Sequence, residues 1–205
     1  MSAREQVLAR VRSALGADPE VPSVPRDYRP AGDHLPGAAE LVELLEDRLR
    51  DYRAGVRRAS REAVPQAVAA ALAEHGSPSV VVPPGLPADW VPGAVVDDPP
   101  LDVQALDRTG AVVTACAVAI AETGTLVLDG SPDQGRRAVT LVPDLHVCVV
   151  PVGQIVGTVP EALARLDPLR PLTFVSGPSA TSDIELERVE GVHGPRRLEV
   201  VVVED

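Results

Sequence analysis

The sequence has no lysine: all 19 of its basic side chains are arginine. That absence excludes a Schiff-base lysine, a Walker-type phosphate-binding lysine and a Ser–Lys nucleophile. It has no asparagine either, and therefore no N-glycosylation acceptor. Cysteine is limited to Cys116 and Cys148, and histidine to His34, His75, His146 and His193. With no CxxC pair, these six residues cannot ligate an iron–sulfur cluster or a structural zinc, so no metal is expected. Aromatics amount to 2%, too few to line a stacking groove for single-stranded nucleic acid. No apolar run reaches the length of a membrane span, and the N-terminus reads as a charged amphipathic stretch rather than a signal peptide. The expected location is the cytoplasm.

What is present is globular in composition, with 45% apolar and 24% charged residues over 205 positions. That is enough for one domain with one sizeable core, built from Val, Leu, Ala and Ile. The formal net charge is −11, which argues against binding a phosphate backbone. Residues 1–62 carry as many Arg as Asp plus Glu, so the whole net charge falls on residues 63–205.

Ser2 and Glu5 have capping-box spacing, followed by Val7, Leu8, Val11 and Leu15 on one helical face and by Gly16 as a stop signal. Prolines 19, 22, 25, 30 and 36 then forbid a helix or a central strand, and predict an extended arm over residues 1–37 that carries the helix. Residues 38–205 form the expected α/β domain. In it, helices are predicted over 38–52, 63–75, 101–106 and 160–166. Strands are predicted over 56–59, 79–83, 111–115, 118–121, 126–128, 147–150, 172–175 and 198–203. The alternation predicts a central, largely parallel sheet buried on both faces.

Three polar motifs follow apolar strands, where α/β sheets place ligands. Glu122-Thr123-Gly124-Thr125 is either a carboxylate in a backbone-rich pocket or a tight turn around Gly124. Gly135-Arg136-Arg137 offers two guanidiniums for a carboxylate, phosphate or CoA diphosphate, or else two arginines that pair with Asp129 and Asp133. Ser176 to Glu185 brings Ser176, Gly177, Ser179, Thr181 and Ser182 before a helix start capped by Ser182 and Glu185. Free N–H groups there would favour an anion, and Asp183 would oppose one. His193, between glycines, is a candidate acid/base, whereas His146 reads as a strand-edge residue. Neither Cys has an identifiable activating neighbour.

Taken in order, Ile120–Leu128, Gly135–Arg137, Val147–Pro151, Ser176–Glu185 and Gly191–Pro195 resemble the lactate utilization protein C family, with its LUD domain. The resemblance implies a fold similar to the sugar-phosphate isomerase and CoA-transferase-like superfamily. It also implies a non-redox subunit of a bacterial system that oxidises L-lactate to pyruvate, with iron–sulfur proteins as partner subunits and no cofactor of its own. In that reading Glu122 and His193 are the candidate catalytic groups. Thr123, Gly124, Thr125, Arg136, Arg137, Ser176, Gly177, Ser179, Thr181, Ser182 and Asp183 hold a small anionic ligand. Ala115–Ala119 is apolar where family members often carry a polar or acidic residue, which implies a less polar pocket. Two alternatives stay open: a stand-alone isomerase- or CoA-transferase-like enzyme with Glu122 as nucleophile or base, and a non-catalytic assembly module.

Overall fold

The valine-rich runs become the centre of the molecule because each can be covered on both faces. In the computed structural model, which describes residues 2–16, 22–77, 79–181, 189–191 and 193–204, the chain order begins with α1 (Ala3–Leu15), α2 (Ala39–Asp51), β1 (Gly55–Ser60) and α3 (Val64–Glu74). Next come β2 (Val80–Val82), β3 (Val95–Val96), α4 (Val103–Asp107), β4 (Ala111–Ala115), β5 (Val118–Ile120) and β6 (Thr125–Leu128). Then follow α5 (Arg137–Leu141), β7 (Leu145–Pro151), β8 (Ile155–Val156), α6 (Val159–Leu163) and β9 (Thr173–Val175). The chain closes with β10 (Ala180–Thr181), β11 (Val189–Glu190) and β12 (Arg197–Glu204).

The main sheet has six strands in the order β1-β12-β7-β4-β2-β3, and every pairing in it is parallel. Its strands alternate between two cores. Val200, Val202, Cys148 and Val150 pack with Leu41, Leu45 and Leu49 of α2, which repeat at a four-residue spacing. Val201, Val203, Val147 and Val149 pack on the other face with Val64, Val68 and Ala71 of α3. Each fully buried Leu or Val contributes roughly 1.5–3 kcal/mol, so these stripes hold both helices in place.

A second, four-stranded sheet in the order β8-β5-β6-β9 completes the α2 core through Ala119, Leu126 and Ile155. Mixed pairing belongs to this sheet: β5–β6 and β6–β9 are antiparallel, β5–β8 parallel. β10 and β11 form a separate two-stranded pair. The α/β class with a parallel central sheet is therefore as the sequence predicts, but the strands are more numerous. β3, β8, β10 and β11, two residues each, are too short to show a periodicity, and α5 begins on two arginines with no apolar stripe to announce it. The helix expected after Ser182 lies outside the described residues.

The Ser2 capping box is present in both directions: Glu5 N donates to Ser2 Oγ at 3.3 Å, and Ser2 N donates to Glu5 Oε2 at 2.7 Å. Yet α1 buries no residue, and Val7, Leu8, Val11 and Leu15 all remain exposed. His146 corrects another expectation. Instead of lying at a strand edge, it is the second residue of β7, flanked by β4 and β12 and almost fully buried.

Candidate active site

Gly135 takes φ +72°, and a Cβ there would sit 2.9 Å from Pro83 Cβ, so only glycine allows this approach. The turn sends the next two arginines to different partners. Arg136 Nε and Nη2 donate to Asp97 Oδ2 and Oδ1 at 2.7 and 2.8 Å, and Nη2 also donates to the Leu101 carbonyl at 2.6 Å. Burial alone would raise the Asp97 pKa; the bonds from Arg136 and from Leu101 N–H outweigh it and hold the carboxyl below the usual range. This is a structural pair. The alternative pairing of Arg136 and Arg137 with Asp129 and Asp133 does not occur, and Asp129 bridges to Arg170 at 2.9 Å instead.

Arg137 opens α5. Its Nη1 donates to Thr140 Oγ1 and its Nη2 to the His193 carbonyl, each at 3.1 Å. Among the described residues no carboxylate pairs with it. Burial pulls its pKa down.

This guanidinium sits on a cleft of ≈ 200 Å³, with Thr140, His146, Ser176, Ser179 and His193 among the lining residues. A second, larger trough of ≈ 580 Å³ shares Arg137, Thr140 and Thr173 and runs past Asp97 and Arg136. His146 and Leu198 are the second residues of β7 and β12, so the cleft opens beside the amino ends of these strands rather than the carboxyl ends. The motifs that surround it belong to the second sheet and its connections, which explains why the strand-end rule pointed to the other side.

His146 Nε2 is 2.8 Å from Thr114 Oγ1. Burial, with a smaller contribution from the Arg137 charge, lowers its pKa to about 4. The imidazole is therefore neutral at physiological pH, beside a fixed positive charge. His193 contributes main chain: its N–H donates to Ser179 Oγ at 2.9 Å, and its carbonyl orients Arg137. Its ring is exposed at the cleft mouth. Gly177 lets the loop press on α2, since a Cβ there would lie 2.5 Å from Tyr52 Cβ.

The Glu122 turn is placed differently. Gly124 takes φ +59°, and a Cβ there would meet Arg48 Cβ at 2.7 Å, so the tight-turn reading of this glycine holds. Glu122 is not among the residues that line the cleft, and its carboxylate accepts both bonds from Arg29 Nη2, at 2.7 and 3.1 Å. Its link to the cleft is a row of hydroxyls: Thr123 Oγ1 donates to Thr125 Oγ1 at 2.8 Å, and Thr125 Oγ1 is 2.8 Å from Ser176 Oγ. Thr181 is paired through its backbone with Val189 in the β10–β11 hairpin, and Ser182 and Asp183 lie outside the described residues.

Of the residues singled out in the sequence, Arg137, Ser176, Gly177, Ser179 and His193 come together around one cleft. Thr140, His146 and Thr173 join them unpredicted. Thr140 had a legible signal, three residues after Arg137 on the same short helix, whereas His146 had only its alternation with Cys148.

A LUD domain matches residues 103–203. Lactate utilization protein C of Deinococcus radiodurans is 52% identical over 172 residues, covering 80% of each chain. The chain belongs to the lactate utilization protein C family. The family member of Bacillus subtilis is 31% identical over 112 residues, which span 51% of this chain and 46% of that one. A crystal structure of a DUF162 family protein from Deinococcus radiodurans superposes with a TM-score of 0.69 at 44% identity, covering 81% of this chain and 98% of that chain. The LUD match contains β4 to β7, the Arg136–Arg137 pair and every residue that lines the Arg137 cleft, and excludes α1, α2 and α3. Among the described residues no helix is long and apolar enough to cross a membrane.

Proposed function

We propose that this chain acts in lactate utilization as a non-redox component, and that its Arg137 cleft binds the carboxylate of a small organic acid. The observation that carries the reading is Arg137 itself: a guanidinium with no carboxylate partner among the described residues, oriented by Thr140 and the His193 carbonyl, at the head of a hydroxyl-lined cleft. An arginine held in place before ligand arrives offers a planar fork that matches a carboxylate, and little side-chain entropy remains to be lost. Ser176 and Ser179 hydroxyls and the neutral His146 imidazole supply hydrogen-bonding groups without adding charge.

Electron transfer belongs, in this reading, to partner iron–sulfur subunits. This chain's two thiols are both buried, and the bond with the neighbouring Cys148, together with burial, raises the Cys116 pKa, which disfavours the thiolate needed for ligation. Glu122 is assigned a structural part, holding residue 29 of the arm against the β5–β6 turn. That placement weighs against the alternative of a stand-alone transferase with Glu122 as nucleophile, since the carboxylate is occupied by Arg29 and does not line the cleft.

The test is lactate-dependent dye reduction in extracts of the source bacterium that lack this protein, complemented by wild type, Arg137→Ala or Glu122→Gln. The reading expects wild type and Glu122→Gln to restore activity, and folded Arg137→Ala to restore little. Full activity from Arg137→Ala would overturn it, and full activity without any complementation would remove the lactate role altogether.

A further inference from the structure

The parallel sheet reverses its direction of travel between β2 and β4. From β2 the chain moves outward to β3, whereas from β4 it moves the opposite way to β7 and then β12. Loops that leave adjacent carboxyl ends in opposite directions open a crevice between them, the usual ligand position in open α/β sheets. The Arg137 cleft is not there. At this reversal lies a separate, open crevice of ≈ 470 Å³, lined by Gly85 after β2, Cys116 after β4 and Gln154 after β7, together with Asp129, Asp133 and Arg165.

The segment after β6 is pinned across the strand ends. Gly85 N donates to the Pro132 carbonyl at 2.9 Å, and Ala115 N to the Asp133 carbonyl at 3.0 Å. A Cβ on Gly85 would lie 2.5 Å from Pro132, so the approach requires glycine. The side chains brought together this way are unmatched in charge. Asp129 is neutralised by Arg170. Asp133 forms no ion pair among the described residues, and its Oδ1 is buried with no hydrogen-bond partner. Burial, joined by the Asp129 charge, raises its pKa and outweighs the bonds from its own N–H and the Gln134 side chain. Arg165 likewise has no carboxylate partner among the described residues, and spends one N–H on the Gly153 carbonyl at 3.1 Å. Gln154 accepts from Cys116 Sγ at 3.6 Å, and its amide nitrogen has no partner among the described residues.

An acid and a base that have no ion-pair partner among the described residues thus line one crevice without bridging to each other, with the Gln154 amide donor between the strand ends. A ligand that satisfies all three must present an anionic group next to a hydrogen-bond donor. We propose that this crevice is a second ligand site, separate from the Arg137 cleft, and that it takes a small hydroxycarboxylate: the carboxylate on Arg165 and the Gln154 amide, the hydroxyl donated to Asp133. The site stands independently of the function assigned to Arg137.

Calorimetric titration with glycolate tests it, using the full chain carrying Arg137→Ala so that the other cleft does not contribute. The expected result is one saturable site, with acetate, which lacks the hydroxyl, bound about tenfold more weakly. Adding Arg165→Met, an exposed position whose loss leaves the core intact, is expected to abolish binding. Adding Asp133→Asn is expected to erase the preference for glycolate over acetate. Absence of saturable glycolate binding to the Arg137→Ala chain, or unchanged affinity with Arg165→Met, overturns the site. If Asp133→Asn fails to fold, the Arg165→Met arm decides alone. Loss of binding in the Arg137→Ala chain, combined with retention in an otherwise wild-type chain carrying Arg165→Met alone, would instead place the carboxylate site at Arg137, so the two readings fail separately.

Discussion

Arg136 reaches its partners at 2.6 to 2.8 Å and is matched by a buried carboxylate, whereas Arg137, one residue on, meets among the described residues only a hydroxyl and a carbonyl, at 3.1 Å. One wall of the trough is therefore closed by an internal ion pair, and the adjoining wall keeps an open charge. The difference arises from what each side chain finds, not from the side chain itself. Asp97 follows β3 at the sheet edge and is drawn under Arg136, while the loops around Arg137 present hydroxyls, glycines and main chain. A charge the fold neutralises internally supports stability; one it leaves unmatched is available to a ligand.

The largest effect that separates the two walls is expected at His146. Its folded pKa is about 4, against 6.5 for an ordinary imidazole. The unfolded chain takes up this proton first, so stability is complete above pH 6.5 and declines as pH falls toward about 4. At the lower end the loss reaches roughly 3 kcal/mol. Removing the neighbouring charge sharpens the contrast: Arg137→Ala should raise the His146 pKa, and Arg136→Ala should leave it in place. NMR titration of the ring resonances, with urea unfolding across the same pH range, checks both. A His146 pKa near 6.5 in the wild type would contradict the burial argument.

The second effect is on stability at neutral pH. Arg136→Ala leaves Asp97 buried without its cation. Because Arg136 is 38% exposed, the cost expected for a fully buried pair is discounted to about 2 kcal/mol. Arg137→Ala removes no carboxylate pair among the described residues, and its cost is expected to stay within about 0.5 kcal/mol. Urea unfolding of the two variants measures the difference, and equal destabilisation would erase the distinction between the walls.

Much of this architecture was readable in advance, because long apolar stripes such as Leu41-Leu45-Leu49 and Val200–Val203 leave few ways to be buried. Two-residue strands such as β3 and β8 were not, since their pairing is decided by neighbours distant in sequence. The site was legible as residue types but not as geometry. Gly135-Arg136-Arg137 announced an anion-binding pair, yet the separation of its two arginines depends on Asp97, 39 residues away from Arg136. Glu122 looked available because its partner, Arg29, lies 93 residues earlier on the arm. His146 was read as an edge because strand order, which places β7 between β4 and β12, is a property of the whole sheet.

The most direct test of the Arg137 assignment is a calorimetric titration of pyruvate into wild type, Arg136→Ala and Arg137→Ala, each confirmed as folded by circular dichroism. Pyruvate carries a carboxylate and no hydroxyl, so it addresses the cleft headed by Arg137. The account predicts saturable binding to wild type and Arg136→Ala, and a loss of roughly 30-fold or more in Arg137→Ala, the cost of a charge-assisted pair. Equal affinity in wild type and Arg137→Ala would contradict it.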